Sequence, residues 1–216
     1  MTSRRPLTTA RVVEAAVAVA DRGGLHAVSM RSVGRELGVE AMSLYHHVAS
    51  KDALLDALAE WIFERMDAPT DAHAWREGVE VHARSSRAVL RAHPWALAIV
   101  ESRRSPGPVL LEHHEAVLAC LLREGFPVRL AASAFSVVDA YVHGFVMTER
   151  TLPFDADEEA ATAMAAMDAV AFTMPSLAAV AAAWIEDRAA YADQFEWGLS
   201  LVLDGLAHRL EAARGA

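Results

Sequence analysis

Apolar residues recur along this chain at intervals of three and four, the spacing that lays them on one side of an α-helix. The pattern opens with Val12, Val13, Ala16, Val17 and Ala20, with Thr8 or Thr9 placed to cap it and Gly23-Gly24 to stop it. Ser29 caps a short second helix that carries Val33 and Leu37 inward and ends at Gly38. A third helix is predicted over residues 40–47 with Leu44 inward. Ser50 caps a fourth, in which Leu54, Leu55, Leu58, Ile62 and Phe63 share a face. The stretch Ala68-Pro69-Thr70-Asp71 interrupts the period and divides the chain into residues 1–66 and 67–216.

Longer amphipathic segments follow over residues 75–92, 95–103, 109–124 and 128–150, punctuated by Pro94, Ser105-Pro106-Gly107-Pro108 and Pro127. Residues 152–159 are acidic and predict a loop. An alanine-rich helical stretch broken at Pro175 comes next, and residues 191–212 predict a last helix. No segment alternates as a half-buried strand does, and no fixed-period repeat occurs. The expected fold is all-α: an amino-terminal helix-turn-helix domain of three helices, then a larger helical domain.

Composition narrows this picture. The chain has 216 residues and is 54% hydrophobic, enough for a substantial core. A single cysteine, Cys120, excludes an internal disulfide framework, and its place on the apolar side of a helix reads as core. The longest uncharged stretch, residues 169–185, is broken by Pro175 and falls short of the roughly 20 residues a membrane span needs. With no signal peptide visible, a cytoplasmic protein without a membrane partner is expected.

The net charge of −9 argues at first against a nucleic-acid partner. The charge is unevenly placed, however. Residues 1–66 hold 8 basic and 8 acidic side chains, and residues 1–51 hold 7 against 4, or +3. Basic charge therefore gathers where the short helices lie. Within Ser29 to His47, Leu37, Val39 and Leu44 can fix two short helices about the turn at Gly38, leaving Ala41, Met42, Ser43, Tyr45, His46 and His47 outward. Short polar and aromatic groups on one helix suit the major groove. Pattern alone leaves an ordinary helical hairpin open.

A longer match adds to this reading. A periodic first helix ends at Gly23-Gly24. Ser29-x-Arg31-x-Val33-Gly34-x-x-Leu37-Gly38-Val39 and Leu44-Tyr45-x-His47-Val48 follow, then Lys51 and Leu54-Leu55. Together these resemble the amino-terminal domain of the tetracycline-repressor (TetR) family of one-component regulators. The resemblance implies that Ser29 and Arg31 face DNA from the second helix and that Ala41, Met42 and Ser43 face base edges, with His46 beside them. Tyr45, His47 and Lys51 would bind phosphates. Ala41 and Met42 offer no side-chain hydrogen bond to a base, so they would meet thymine methyls.

Trp75, His93-Pro94, Glu124-Gly125-Phe126, Gly144, Phe195-Glu196-x-Gly198-Leu199 and Leu203-Asp204-Gly205-Leu206 resemble the carboxy domain of the tetracycline-repressor subclass. This implies a homodimer through a four-helix bundle, with Ala131, Ala134, Gly198 and Gly205 permitting close approach. It also implies double-stranded operator DNA of palindromic form and a small-molecule inducer as partners. His82 falls at a polar ligand position of those repressors. Val100 stands where they carry a histidine on the drug-bound magnesium, which points away from tetracycline itself. His113, Phe135, Asp139, His143 and Met147 complete the candidate pocket. No tight ligand spacing supports a metal site, and no cofactor is expected beyond the unidentified inducer. A catalytic reading lacks a nucleophile elbow or phosphate loop. The rival to a ligand-controlled repressor is a DNA-binding protein with no small-molecule inducer.

Overall fold

The computed structural model describes residues 6–102, 107–150, 157–186 and 188–215, and every regular element among them is helical. The chain forms two compact units, Met1–Gly125 and Phe126–Ala216.

In the first unit, α1 (Thr9–Gly23) begins where the Thr8 side chain accepts the Arg11 amide and ends at Gly24, whose φ of 73° suits glycine. It buries Val12, Val13, Ala16, Val17 and Ala20, the residues its spacing predicted. A 3-10 turn at Leu25–Ala27, which no apolar period marked, leads to α2 (Met30–Leu37). There Ser29 and Ser32 cap each other reciprocally: each backbone amide donates to the other's hydroxyl, at 3.1 and 2.9 Å. Gly38 closes α2 in the left-handed conformation.

The next helix, α3 (Ala41–Leu44), is shorter than the 40–47 predicted. Its end tightens instead: the Tyr45 amide bonds to the Met42 carbonyl and the His47 amide to the Leu44 carbonyl, three residues back. Ser50 caps α4 (Lys51–Phe63), which buries Leu54, Leu58, Ala59, Ile62 and Phe63; Leu55 is only half-buried.

Three more helices complete the unit: α5 (Trp75–Ala92), α6 (Ala96–Ser102) and α7 (Pro108–Arg123). The helices α4 and α7 pack together, as do α4 and α6, and α5 and α7. Gly78 lets α5 approach α7, since a Cβ there would lie 2.8 Å from Cys120 Sγ. The short helices thus share one compact unit with the three that follow.

The second unit holds α8 (Val128–Glu149), α9 (Asp157–Val170), α10 (Pro175–Glu186) and α11 (Arg188–Arg214). Pro175 opens α10, as its fixed φ favours. Of the acidic loop expected over residues 152–159, residues 152–156 lie outside the described residues. Asp157 to Glu159 already form the first turn of α9. The helices α8 and α11 pack together. Ala131, Ala134, Val138, Val142 and Val146 are buried on α8, and Phe195, Leu199, Leu203, Leu206 and Leu210 on α11. Each large side chain so buried contributes about 1.5–3 kcal/mol.

The same packing corrects the role expected of the small residues. Ala131 and Ala134 are buried within the protomer, and Gly198 makes room for Tyr141, whose ring and hydroxyl a Cβ would overlap. Gly205, by contrast, has open space around its Cβ position. One helix among the described residues, Val128–Glu149, is long and apolar enough to cross a membrane by length and composition. Its Ala131, Ala134, Val138, Val142 and Val146 are buried, while Val128, Val137 and Met147 are exposed.

Candidate nucleic-acid interface

The reading face is built from α2, α3 and the start of α4. Leu44 and Val48 are buried, at 0% and 5% exposure, and they root α3 in the core. Thr9 Oγ1 donates to the His47 carbonyl at 3.2 Å, tying the turn after α3 to the start of α1. Gly34 sets how closely α2 meets α3: a Cβ there would lie 2.9 Å from the Val39 carbonyl oxygen and 3.3 Å from the Ala41 amide. Only a hydrogen fits.

Held this way, the two helices present the residues the sequence singled out. Met42 is 73% exposed and Tyr45 45%. Arg31, His46 and Lys51 are exposed, while Ala41, Ser43 and His47 are half-buried. Tyr45 is therefore not a core residue; Leu44 fills that place. Ser29 is half-buried and engaged in capping α2. Arg31, His46 and Lys51 make no hydrogen bond or ion pair among the described residues, so their donors stay available. Lys51 also stands at the positive end of the α4 dipole, where an anion is favoured. A short helix with Met42 outermost, rooted by Leu44 and flanked by the uncommitted Arg31 and Lys51, can enter a groove and rest on phosphates.

The candidate pocket residues divide between the units. In the first, His82 and His113 are buried, at 4% and 5% exposure, and their Nδ1 and Nε2 atoms lie 2.9 Å apart. One ring must donate to the other. Ser86 Oγ lies 3.4 Å from His82 Nδ1, and the Phe63 ring packs beside His113. These contacts join α4, α5 and α7, a meeting that residue spacing could not show. Val100 is half-buried on α6.

In the second unit Phe135, Asp139 and His143 are half-buried along α8, and Met147 is 55% exposed. None of these four lines the cavity of about 460 Å³ in that unit, whose walls include Tyr141, Phe145, Trp184, Gln194 and Trp197. Sequence reasoning missed that cavity because its aromatic walls come from three separate helices. Cys120 is buried, and burial pushes its thiol above the ordinary value, with Arg123 opposing. It is a packing residue held in its thiol form.

A helix-turn-helix reading face followed by further packed helices defines a DNA-binding regulator. Residues 12–58 match the family described as "Bacterial regulatory proteins, tetR family", and residues 68–210 match "Tetracyclin repressor-like, C-terminal domain". The HTH-type transcriptional repressor DrrR1 of Streptomyces coeruleorubidus is 34% identical over 99% of this chain and 85% of its own length. Among solved structures, ActR from Streptomyces coelicolor in complex with actinorhodin aligns with a TM-score of 0.75 at 28% identity. That match covers 95% of this chain and 99% of ActR. BioQ with its double-stranded DNA operator aligns at 0.63 and 26%, over 94% and 99%. The chain belongs to the tetracycline-repressor family of transcriptional regulators.

Proposed function

We infer that this protein is a ligand-responsive transcriptional repressor that binds a palindromic operator as a homodimer and leaves it when a small molecule binds. The observation that carries the reading is the exposed α2–α3 face, with Arg31, His46 and Lys51 uncommitted around it. Residues 1–66 act as the reading head and residues 67–216 as the regulatory and dimerising part. Arg31, Ser43 and His46 read base edges, Ala41 and Met42 contact thymine methyls, and Tyr45, His47 and Lys51 hold phosphates. Ser29 contributes by fixing the start of α2. The reading assigns no catalytic step, no metal and no cofactor, and it places the protein in the cytoplasm.

Release follows from a shift in population: a ligand that binds one arrangement of the regulatory helices better draws the protein into it. The helix α4 carries the change, because it begins beside α3 and packs along α6 and α7. The buried His82–His113 pair and Ser86 supply polar groups in otherwise apolar surroundings, the usual makeup of a small-molecule site. That DrrR1 is a repressor and that ActR binds actinorhodin supports the reading.

Selection of bound DNA from a random pool, followed by a ligand screen for release, tests it. A palindromic consensus released by one small molecule is expected. A palindrome that no ligand releases would favour the rival, a DNA-binding protein without an inducer.

A further inference from the structure

Asp21 lies in the last turn of α1, where the helix dipole disfavours a carboxylate. Its own helix therefore does not account for it. Two donors from the corner between α5 and α6 do. His93 Nδ1 lies 2.8 Å from Asp21 Oδ1, and the indole Nε1 of Trp95 lies 2.6 Å from the same oxygen. An ionised carboxylate only accepts and an indole N–H only donates, so both contacts are donations to Asp21. Hydrogen bonds to an ionised acceptor are the stronger class. Trp95 is 5% exposed, which partly shields its own donation from competing water, whereas the His93 contact is exposed.

The same corner reaches a second helix of the head. The His93 ring meets Trp61 of α4 edge-on, with centroids 5.0 Å apart at 84°. Arg65, in the turn that follows α4, lies 3.4 Å above the Trp61 ring. One short turn, His93-Pro94-Trp95, therefore holds both α1 and α4, the helices on either side of the reading pair.

We propose that Asp21 is a positioning residue. With His93 and Trp95 it clamps the reading head to the α5–α6 corner and so sets the half-site spacing that the operator must have. The spacing consequence rests on the homodimer reading above; the clamp itself does not. A homodimer holds two heads at a fixed separation, and one extra base pair rotates a half-site by about 35°. A rigid clamp rejects that operator, whereas a loosened one tolerates it.

The test uses the operator selected by the wild-type protein and versions with one base pair inserted or deleted at its centre. Asp21→Ala should cut the discrimination against altered spacing by roughly tenfold, about the loss of one charge-assisted hydrogen bond. Discrimination against a base mismatch within a half-site should stay as in wild type. Asp21→Asn, which keeps an oxygen for Trp95, should recover part of the loss. Trp95→Phe, which removes the indole donor together with part of the buried ring, should repeat it if Asp21→Ala folds poorly. Affinities that fall in parallel on every spacing would show mere destabilisation and overturn the proposal.

Hydrogen exchange on the free protein tests the clamp without any operator. Asp21→Ala should raise exchange together in the last turn of α1 and in residues 93–97, and unchanged protection in either would also overturn it. Failure of the wild type to select a palindrome would instead count against the homodimer reading, leaving hydrogen exchange to judge the clamp.

Discussion

At Gly34 a hydrogen stands where any other residue would place a carbon 2.9 Å from the Val39 carbonyl oxygen. That oxygen is fixed backbone, so a methyl group there moves α2 away from α3. Gly34→Ala should cost about 1–3 kcal/mol, as overpacking does, despite the better helix propensity of alanine. Chemical denaturation will measure the loss, and operator affinity should fall further than stability alone explains, because the angle of α3 changes. Gly38 belongs to the other kind of glycine: nothing crowds its Cβ position, and only its φ of 66° demands the residue. Sequence showed the turn at Gly38 through its neighbours. It could not show the contact at Gly34, because the atom in the way comes from the return of the chain. The same reason hid Asp21, whose partners lie 72 and 74 residues away.

Among elements, capped and periodic helices were legible and their pairings were not. Ser29 and Ser50 mark the starts of α2 and α4 by side-chain hydrogen bonds made within three residues, which any local reading can see. The pairing of α8 with α11 depends on residues more than fifty positions apart. Tyr141 of α8 donates to the Phe195 carbonyl at 2.8 Å and lies over Gly198. Gly198→Ala should therefore lower the thermal midpoint of the protein, since the new methyl overlaps the Tyr141 ring as well as its hydroxyl. Tyr141→Phe removes only the hydrogen bond and should cost less, about 1 kcal/mol. Equal midpoints for Gly198→Ala and wild type would show that α8 and α11 can separate freely at this point.

Over the whole molecule, a net charge of −9 coexists with a DNA-reading face because the acidic excess lies outside residues 1–66. Operator binding should accordingly depend steeply on salt. Each phosphate contact adds about 0.9 to the slope of log affinity against log salt. Lys51→Ala, removing one contact from each half of a dimer, should lower that slope by roughly 2 and weaken all sequences alike. Arg31→Ala should act differently, relaxing the preference between matched and mismatched operators. An equal loss on every sequence for both variants would remove the assigned division between phosphate and base contacts.

Association of two copies draws on features that intramolecular packing leaves unexplained. Gly144 and Gly205 have open space at their Cβ positions, although glycine within a helix costs about 1 kcal/mol relative to alanine. Trp197 and Leu201 are 61% and 52% exposed on α11, and Val137 is 49% exposed on α8. Small residues beside large exposed apolar ones are what a facing helix requires. Leu201→Asp should leave the protomer folded, because this side chain contributes little to the internal core, yet shift it to monomers in sedimentation. A protomer carries only one reading head, so the variant should lose affinity for the full palindrome while binding a half-site as the wild type does. A Leu201→Asp protein that remains dimeric would move the seam to another face of the second unit.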